Sequence, residues 1–121
     1  MPRYDLEERL LAFAADVIRL TRNLEQSYAG KHIAQQLLRS GTSPLANHGE
    51  GESAKSRKDF LHRLRTCLQE LRESHRWLRL IERVPLTEER DQVVALIKES
   101  DELIRIFFTS IRTAEERSDE N

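Results

Sequence analysis

Apolar residues recur at alternating intervals of three and four positions along three stretches of the chain. The stretches cover residues 5–25, 57–82 and 88–113. This spacing places the apolar side chains on one face of an α-helix, so each stretch is predicted to be helical. The predicted faces consist of Leu6, Leu10, Phe13, Val17, Leu20 and Leu24, then Phe60, Leu64, Cys67, Leu71, Ser74, Leu78 and Ile81, then Val93, Leu96, Ile97, Ser100, Leu103, Ile104, Phe107 and Ile111.

The remaining long stretch, residues 27–50, is less regular. It contains Ile33 and Leu37, followed by four small residues at 40–43 and then Pro44. Glycine and proline disfavour a helix interior, but small residues let two helices approach closely, and a helix can bend at proline. We therefore predict one long helix with a bend near Pro44.

Four amphipathic helices joined by short connections predict an all-α fold, the antiparallel up-down-up-down four-helix bundle. Residues 1–121 are predicted to form one domain, because a chain of this length has no room for a second core of useful size. The polar residues 114–121 are expected to fray. The predicted helices cover residues 5–25, 27–50, 57–82 and 88–113.

The composition narrows the class of protein further. Four glycines and three prolines are too few for the many tight turns of a β-sandwich or barrel. The longest apolar run, residues 10–15, is far too short to span a membrane. One cysteine cannot form an internal disulfide, and no basic-then-apolar leader opens the chain, so we expect a cytoplasmic protein that does not contact membranes.

Charge is distributed unevenly along the chain, although the net charge is only −1. Residues 1–54 carry a net charge of −1, residues 55–83 carry +5 and residues 84–121 carry −5. A basic helix beside an acidic one is common in antiparallel neighbours, because their fields are complementary. The other interpretation of the basic segment is a surface for nucleic acid.

Five arginines of the third helix recur at sevens, fours and threes, so they share one helix face. We call them the arginine stripe and treat them as a candidate nucleic-acid surface. Two interpretations remain open, because Glu99, Asp101 and Glu102 of the fourth helix could neutralise the stripe within the bundle. The members of the stripe are Arg65, Arg72, Arg76, Arg79 and Arg83.

Two polar pairs are candidates for a network that sets the register of the helices. Asn47 and Glu50 are three residues apart at the end of the second helix, and Glu70 and Glu73 repeat that spacing on the third. Pairing with each other or with basic groups such as Arg39 and Arg63 would satisfy them. The alternative is that all four side chains are solvated.

The sequence gives little support for a metal site or a catalytic nucleophile. We therefore expect that the protein is not an enzyme and that it binds no metal and no cofactor. A di-metal bundle needs an acid-x-x-His pair on each of two helices, and only Asp59 with His62 has that spacing. Cys67 lies on the apolar face of the third helix, where burial disfavours a thiolate. A phosphate-binding loop needs a lysine and a preceding strand, and the segment that contains the glycines at 49 and 51 has neither feature.

Apolar residues beyond the main faces point to association between copies of the chain. The first helix has a second stripe at residues 11, 14 and 18, and the fourth has one at residues 94, 97 and 108. Such surfaces commonly mark interfaces, so we expect a closed homo-oligomer larger than a dimer. Trp77, on the flank of the third helix, is either a lid on the core or an anchor in a subunit interface.

Small, polar and aromatic positions of the second and third helices together resemble the 23S ribosomal RNA intervening-sequence proteins, also called the S23 family of four-helix bundle proteins. The resemblance is close over these two helices and extends to the first and fourth only by pattern. The residues that carry it are Gln36 to Ser43, Ala46, Asn47, Glu50, Ser56, Asp59, Phe60, Leu64, Glu70, Glu73 and Trp77 to Leu80.

The resemblance implies a bacterial protein that assembles into a ring-like homo-oligomer, commonly a pentamer. Some relatives are encoded inside intervening sequences of 23S ribosomal RNA genes, and a related group binds a reverse transcriptase and nucleic acid. No enzymatic activity is established for the family. The leading hypothesis is therefore a non-enzymatic oligomer that binds RNA or a ribonucleoprotein partner, and the alternative is a scaffold that contacts only proteins.

Overall fold

Four helices, and no strand among residues 3–120, confirm the all-α prediction. The computed structural model describes the backbone of residues 3–120 and the side chains of residues 6–117. In those residues no helix is both long and apolar enough to cross a membrane. The helices are α1 (Arg3–Thr21), α2 (Tyr28–Glu52), α3 (Arg57–Arg83) and α4 (Arg90–Glu120).

The apolar faces predicted from the spacing form the core of the bundle. Phe13 of α1, Leu71 of α3 and Phe107 of α4 are completely or almost completely buried. Of the predicted residues, only four are partly exposed while still packing against the core, because they lie at the margins of their helix faces. These four are Leu6, Phe60, Ile97 and Ile104.

Contacts between neighbouring helices follow opposite orders along the two helices: a later residue of one helix meets an earlier residue of the other. Ser40 of α2 lies beside Ser74 of α3, and seven residues later Asn47 lies beside Arg63. Between α3 and α4, His75 contacts Ser100, whereas the earlier Arg65 contacts the later Glu115. This reversed order is that of antiparallel neighbours, as short connections require.

The second helix runs without interruption through Pro44, as a single long helix. Buried small residues explain why this sequence is tolerated. Gly41 lies against α1 so closely that an added Cβ would come within 2.9 Å of both Val17 methyl groups. Pro44 is itself buried, and its carbonyl oxygen accepts a hydrogen bond from Cys67 Sγ at 3.4 Å. Packing against α1 and α3 therefore outweighs the unfavourable helix propensity of this segment.

The end of α1 and both ends of α4 differ from the prediction, and α1 finishes at Thr21 rather than at residue 25. Helix α4 begins at Arg90 rather than 88, because Thr87 Oγ1 accepts from the Glu89 backbone N–H and holds the preceding residues in a turn. The prediction of a frayed segment over 114–121 is wrong for residues 114–120, which continue the helix. Ala114 is buried and Glu115 contacts Arg65, so tertiary contacts extend the helix beyond its amphipathic part.

Candidate nucleic-acid interface and polar network

The arginine stripe lies on the outer surface of α3. All five guanidinium groups belong to exposed residues, and at 100° per residue they fall within about 60° of one another around the helix axis. Arg65 contacts Glu115 at 3.5 Å. The other four, at 72, 76, 79 and 83, form no hydrogen bond or ion pair within the described part of the chain. Their charge is therefore directed to solvent.

Three acidic residues of α4, Glu99, Asp101 and Glu102, do not neutralise the stripe. Glu99 and Glu102 both accept hydrogen bonds from Arg9 of α1, at 2.6 Å and 2.8 Å from its Nη2. Asp101 pairs with Arg105 one turn later on its own helix, at 2.9 Å. Of the two interpretations left open by the sequence, neutralisation by these three carboxylates is therefore wrong.

A cluster of charges on the α2 side of α3 contrasts with the stripe. Arg39 Nη1 donates to Glu70 Oε2 at 2.9 Å, and Nη2 donates to Glu73. Trp77 Nε1 also donates to Glu73 Oε2, at 3.0 Å. We call these four residues the Arg39 cluster. It joins two helices through charge-assisted hydrogen bonds and fixes how α2 sits against α3.

Asn47 lies in a second polar contact between the same two helices. Its Oδ1 accepts from Arg63 Nη1 at 3.0 Å, and its Nδ2 donates to Ser43 Oγ at 2.9 Å and to the Ser43 carbonyl. Glu50 does not join this contact, because its side chain is exposed; for this member of the candidate network the solvated alternative holds.

Trp77 packs at the margin of the core rather than standing away from the bundle. It is half-buried among the residues that surround the core, and its ring meets His32 of α2 edge-on at 6.5 Å between centroids. The hydrogen bond to Glu73 holds the indole N–H. This arrangement is that of a lid on the core within one chain.

Cys67 and the histidines do not assemble a reactive centre in the described residues. Cys67 is completely buried, and burial raises the pKa of its thiol to about 12. His75 Nδ1 lies 2.9 Å from Ser100 Oγ on the next helix, whereas His62 is exposed. Among residues whose side chains are described, no group of three or more His, Cys, Asp or Glu side chains could hold a metal ion.

Two polar contacts in the structure were not predicted from the sequence. Arg9 and Glu99 are separated by 90 residues, so no local spacing connects them. Ser40 and Ser74 lie 2.9 Å apart by their Oγ atoms in the completely buried contact of α2 with α3. Ser74 falls on the predicted apolar face and Ser40 in the predicted small run, so the sequence locates both residues without pairing them.

The fold and surface define a four-helix bundle protein with a paired polar seam and an exposed row of arginines. The family model for the 23S rRNA-intervening sequence protein matches residues 4–109, and the chain belongs to this family. A crystal structure of a protein of unknown function from the S23 ribosomal protein family of Bacteroides thetaiotaomicron is similar, with 31% identity and a TM-score of 0.80. The similarity covers 93% of this chain and 99% of that one. A search of curated proteins found no match.

Proposed function

We propose that this protein is a non-enzymatic homo-oligomer that binds RNA through the arginine stripe of α3. One observation carries the proposal: Arg72, Arg76, Arg79 and Arg83 are exposed and have no acidic partner among the described side chains. Four unpaired guanidinium groups in a row are suited to phosphate groups, because each can form two parallel hydrogen bonds. Membership of a family named for intervening sequences of 23S rRNA supports RNA as the polyanion.

The net charge of −1 makes assembly part of the proposal. A single chain has no overall attraction for a polyanion, whereas several copies in a ring would bring several stripes together and raise the local positive potential. Exposed apolar side chains supply candidate contacts between copies. Leu11 and Ile18 lie on one face of α1, and Phe108 lies on α4; their exposed fractions are 48%, 38% and 46%. Ala14, from the second stripe expected on α1, is buried and belongs to the core.

Salt dependence of RNA binding tests the proposal. The assembled protein is titrated into fluorescently labelled single-stranded RNA from about 50 to about 200 mM salt, and the slope of log affinity against log salt is measured. The variant Arg72→Glu/Arg76→Glu/Arg79→Glu should bind more weakly and flatten the slope by about 2, since each lost phosphate contact on a single strand removes about 0.7.

The matched control makes the same change of charge on another helix. Arg90→Glu/Lys98→Glu/Arg112→Glu alters three exposed cations of α4 that lie 8 and 14 residues apart, about 12 Å and about 21 Å along the helix, so they do not form a continuous row. This control should retain most of the slope. An equal loss in both triple variants would mean that binding follows net charge alone, and no binding at the lowest salt concentration would contradict the RNA proposal.

A scaffold that contacts only proteins is the second candidate, and the exposed apolar residues of α1 favour it. Light scattering tests the assembly on which both candidates depend. We expect a species several times the 14.2 kDa of the chain. Leu11→Glu/Ile18→Glu should dissociate it, whereas Val84→Glu, at an exposed apolar residue between α3 and α4, should not. A stable monomer of the unaltered protein at micromolar concentrations would contradict the assembly.

A further inference from the structure

A groove of about 960 Å³ opens at the end of the bundle where α2 finishes and α3 begins. All four helices contribute to it: the start of α1, the end of α2, the start of α3 and the C-terminal half of α4. Its volume is at the upper end of the roughly 300–1,000 Å³ typical of small-molecule sites. We call it the end groove. It is separate from the arginines at 72, 76, 79 and 83, which do not line it.

One part of the end groove is apolar. Leu6 and Phe60 line it, and both are partly exposed at the margin of the core. Leu64 and Ile106 add aliphatic surface from α3 and α4. Apolar side chains that face a concave space, rather than a flat surface, can surround the body of a ligand and remove it from water.

Cations line another part of the end groove. Lys55 and Arg57, at the start of α3, are exposed and form no ion pair in the described part of the structure. Arg105 also lines the groove, although it is paired with Asp101 at 2.9 Å. Among residues 6–117, whose side chains are described, Glu52 is the only acidic residue of the lining, and it lies 3.4 Å from His48. The lining therefore has an excess of positive charge.

The start of α3 adds to this positive potential. Ser56 caps the helix, and its Oγ accepts from the Asp59 backbone N–H at 3.0 Å. Within a helix of 27 residues, the first turn presents backbone N–H groups and the positive end of the helix dipole. Because Lys55 and Arg57 flank the cap, the side-chain cations and the backbone favour an anion at the same place.

A buried polar atom without a partner marks the wall of the end groove. His48 lines the groove and is only 6% exposed, yet its Nδ1 has no hydrogen-bond partner among the described atoms. Its ring is held edge-on against Phe107, at 6.4 Å between centroids. Buried polar atoms are normally paired, so this nitrogen, which itself has almost no accessible surface, is an unusual feature of the wall.

We infer that the end groove binds a small organic anion with an apolar body. The anionic group lies beside Lys55 and Arg57 at the start of α3, and the body lies against Phe60, Leu64 and Ile106. This site is independent of the RNA proposal, since it uses different side chains and a different class of ligand.

Calorimetric titration with four probes tests the inference. The anionic probes are 1-naphthyl phosphate and 1-naphthoate, which distinguish a phosphate from a carboxylate; 1-naphthol supplies the body alone and inorganic phosphate the charge alone. We expect at least one anionic naphthyl probe to bind with one site per chain and at least about tenfold more tightly than naphthol or phosphate, because charge-assisted hydrogen bonds and apolar burial both contribute.

Variants then locate the binding. Lys55→Glu/Arg57→Glu should weaken the anionic probe by about tenfold or more and leave naphthol unchanged. The control Arg90→Glu/Lys98→Glu makes the same change of charge on exposed residues of α4 that do not line the groove, and it should bind as the unaltered protein does. Both variants alter exposed side chains, so circular dichroism should report the same helical content in each.

Three results would overturn the inference. The first is that neither anionic naphthyl probe binds at about 1 mM, a weak affinity for a small molecule. The second is that inorganic phosphate binds as tightly as they do, because the apolar wall would then contribute nothing. The third is that both double variants weaken the anion equally, because the effect would then be one of net charge.

Discussion

The two polar faces of α3 differ in what their charges contact. On the face toward α2, Glu70 and Glu73 are held by Arg39, and Arg63 is held by Asn47. On the outer face, four arginines form no hydrogen bond or ion pair in the described structure. The same helix thus uses charge in two ways: paired charges set its position against α2, and unpaired charges remain available to a polyanion.

Burial explains the difference between these faces. The side chain of Glu70 is 17% exposed, so an unpaired carboxylate there would have lost much of its hydration without compensation. The outer arginines keep their hydration and need no partner within the chain. Structural charges on α3 should therefore affect the free energy of unfolding when they are altered, whereas stripe charges should affect binding.

The largest expected effect concerns Cys67, at the buried contact of α3 with α2. Burial raises the pKa of this thiol from 9.0 to about 12, so the folded state favours the protonated form. Its contribution to stability is complete below about pH 9 and is lost as the pH rises toward 12, at about 1.4 kcal/mol per pH unit and about 4 kcal/mol in total. Denaturant unfolding across this range measures the slope.

The variant Cys67→Ala provides the control for that titration. Tyrosine, lysine and arginine groups that ionise at high pH are present in both proteins, so only the thiol component should disappear. The variant should lose less stability than the unaltered protein between pH 9 and 11. Equal slopes would show that Cys67 is readily ionised in the folded state.

The next largest effect on stability concerns Asn47. It pairs with Arg63 on the face of α3 toward α2, at the opposite end of that face from the Arg39 cluster. Asn47→Ala removes the acceptor of Arg63 Nη1, and Arg63 Nε is already buried without a hydrogen-bond partner in the described structure. We expect a loss of about 1–3 kcal/mol in the free energy of unfolding. Gln35→Ala, which removes an exposed amide from α2, is the control. A loss below about 0.5 kcal/mol, typical of surface positions, would contradict the structural role of Asn47.

A smaller effect is expected from Arg39, the centre of the Arg39 cluster. The guanidinium side chain is 51% exposed, so solvent screens its two ion pairs. Arg39→Ala should cost about 1 kcal/mol of unfolding free energy, the sum expected for two partly exposed pairs. Arg79→Ala, an unpaired arginine on the outer face, is the matched change and should cost less. If thermal unfolding gave equal losses, pairing would make no difference to stability.

The smallest effect on stability should come from the arginine stripe. Arg72→Glu/Arg76→Glu/Arg79→Glu breaks no contact within the described chain, so the free energy of unfolding should change by no more than about 0.5 kcal/mol. The same variant should have the largest effect on the salt slope of RNA binding. A marked loss of stability would instead indicate that these arginines support the bundle, and the comparison of the two faces would not hold.

Local patterns in the sequence were sufficient for the helices and much of the core. The alternating spacing located the buried faces of α1, α3 and α4. The cap of α3 also has a local signal, since Ser56 precedes Asp59 by three residues. The same reasoning failed for residues 114–120, since their helical state depends on contacts with α3. The stripe was also visible in the sequence, but the sequence did not show that four of its five arginines lack an acidic partner in the described structure.

The sequence by itself determined where helices form and which side of each is apolar, because both depend on intervals of three and four residues within one segment. Only the tertiary structure decided which charges are paired. Glu99 pairs with Arg9, 90 residues away, and therefore does not neutralise the stripe. Glu50 remains exposed to solvent. Ion pairs between helices depend on the rotation and register of whole helices, which many distributed packing contacts set together and no single spacing encodes.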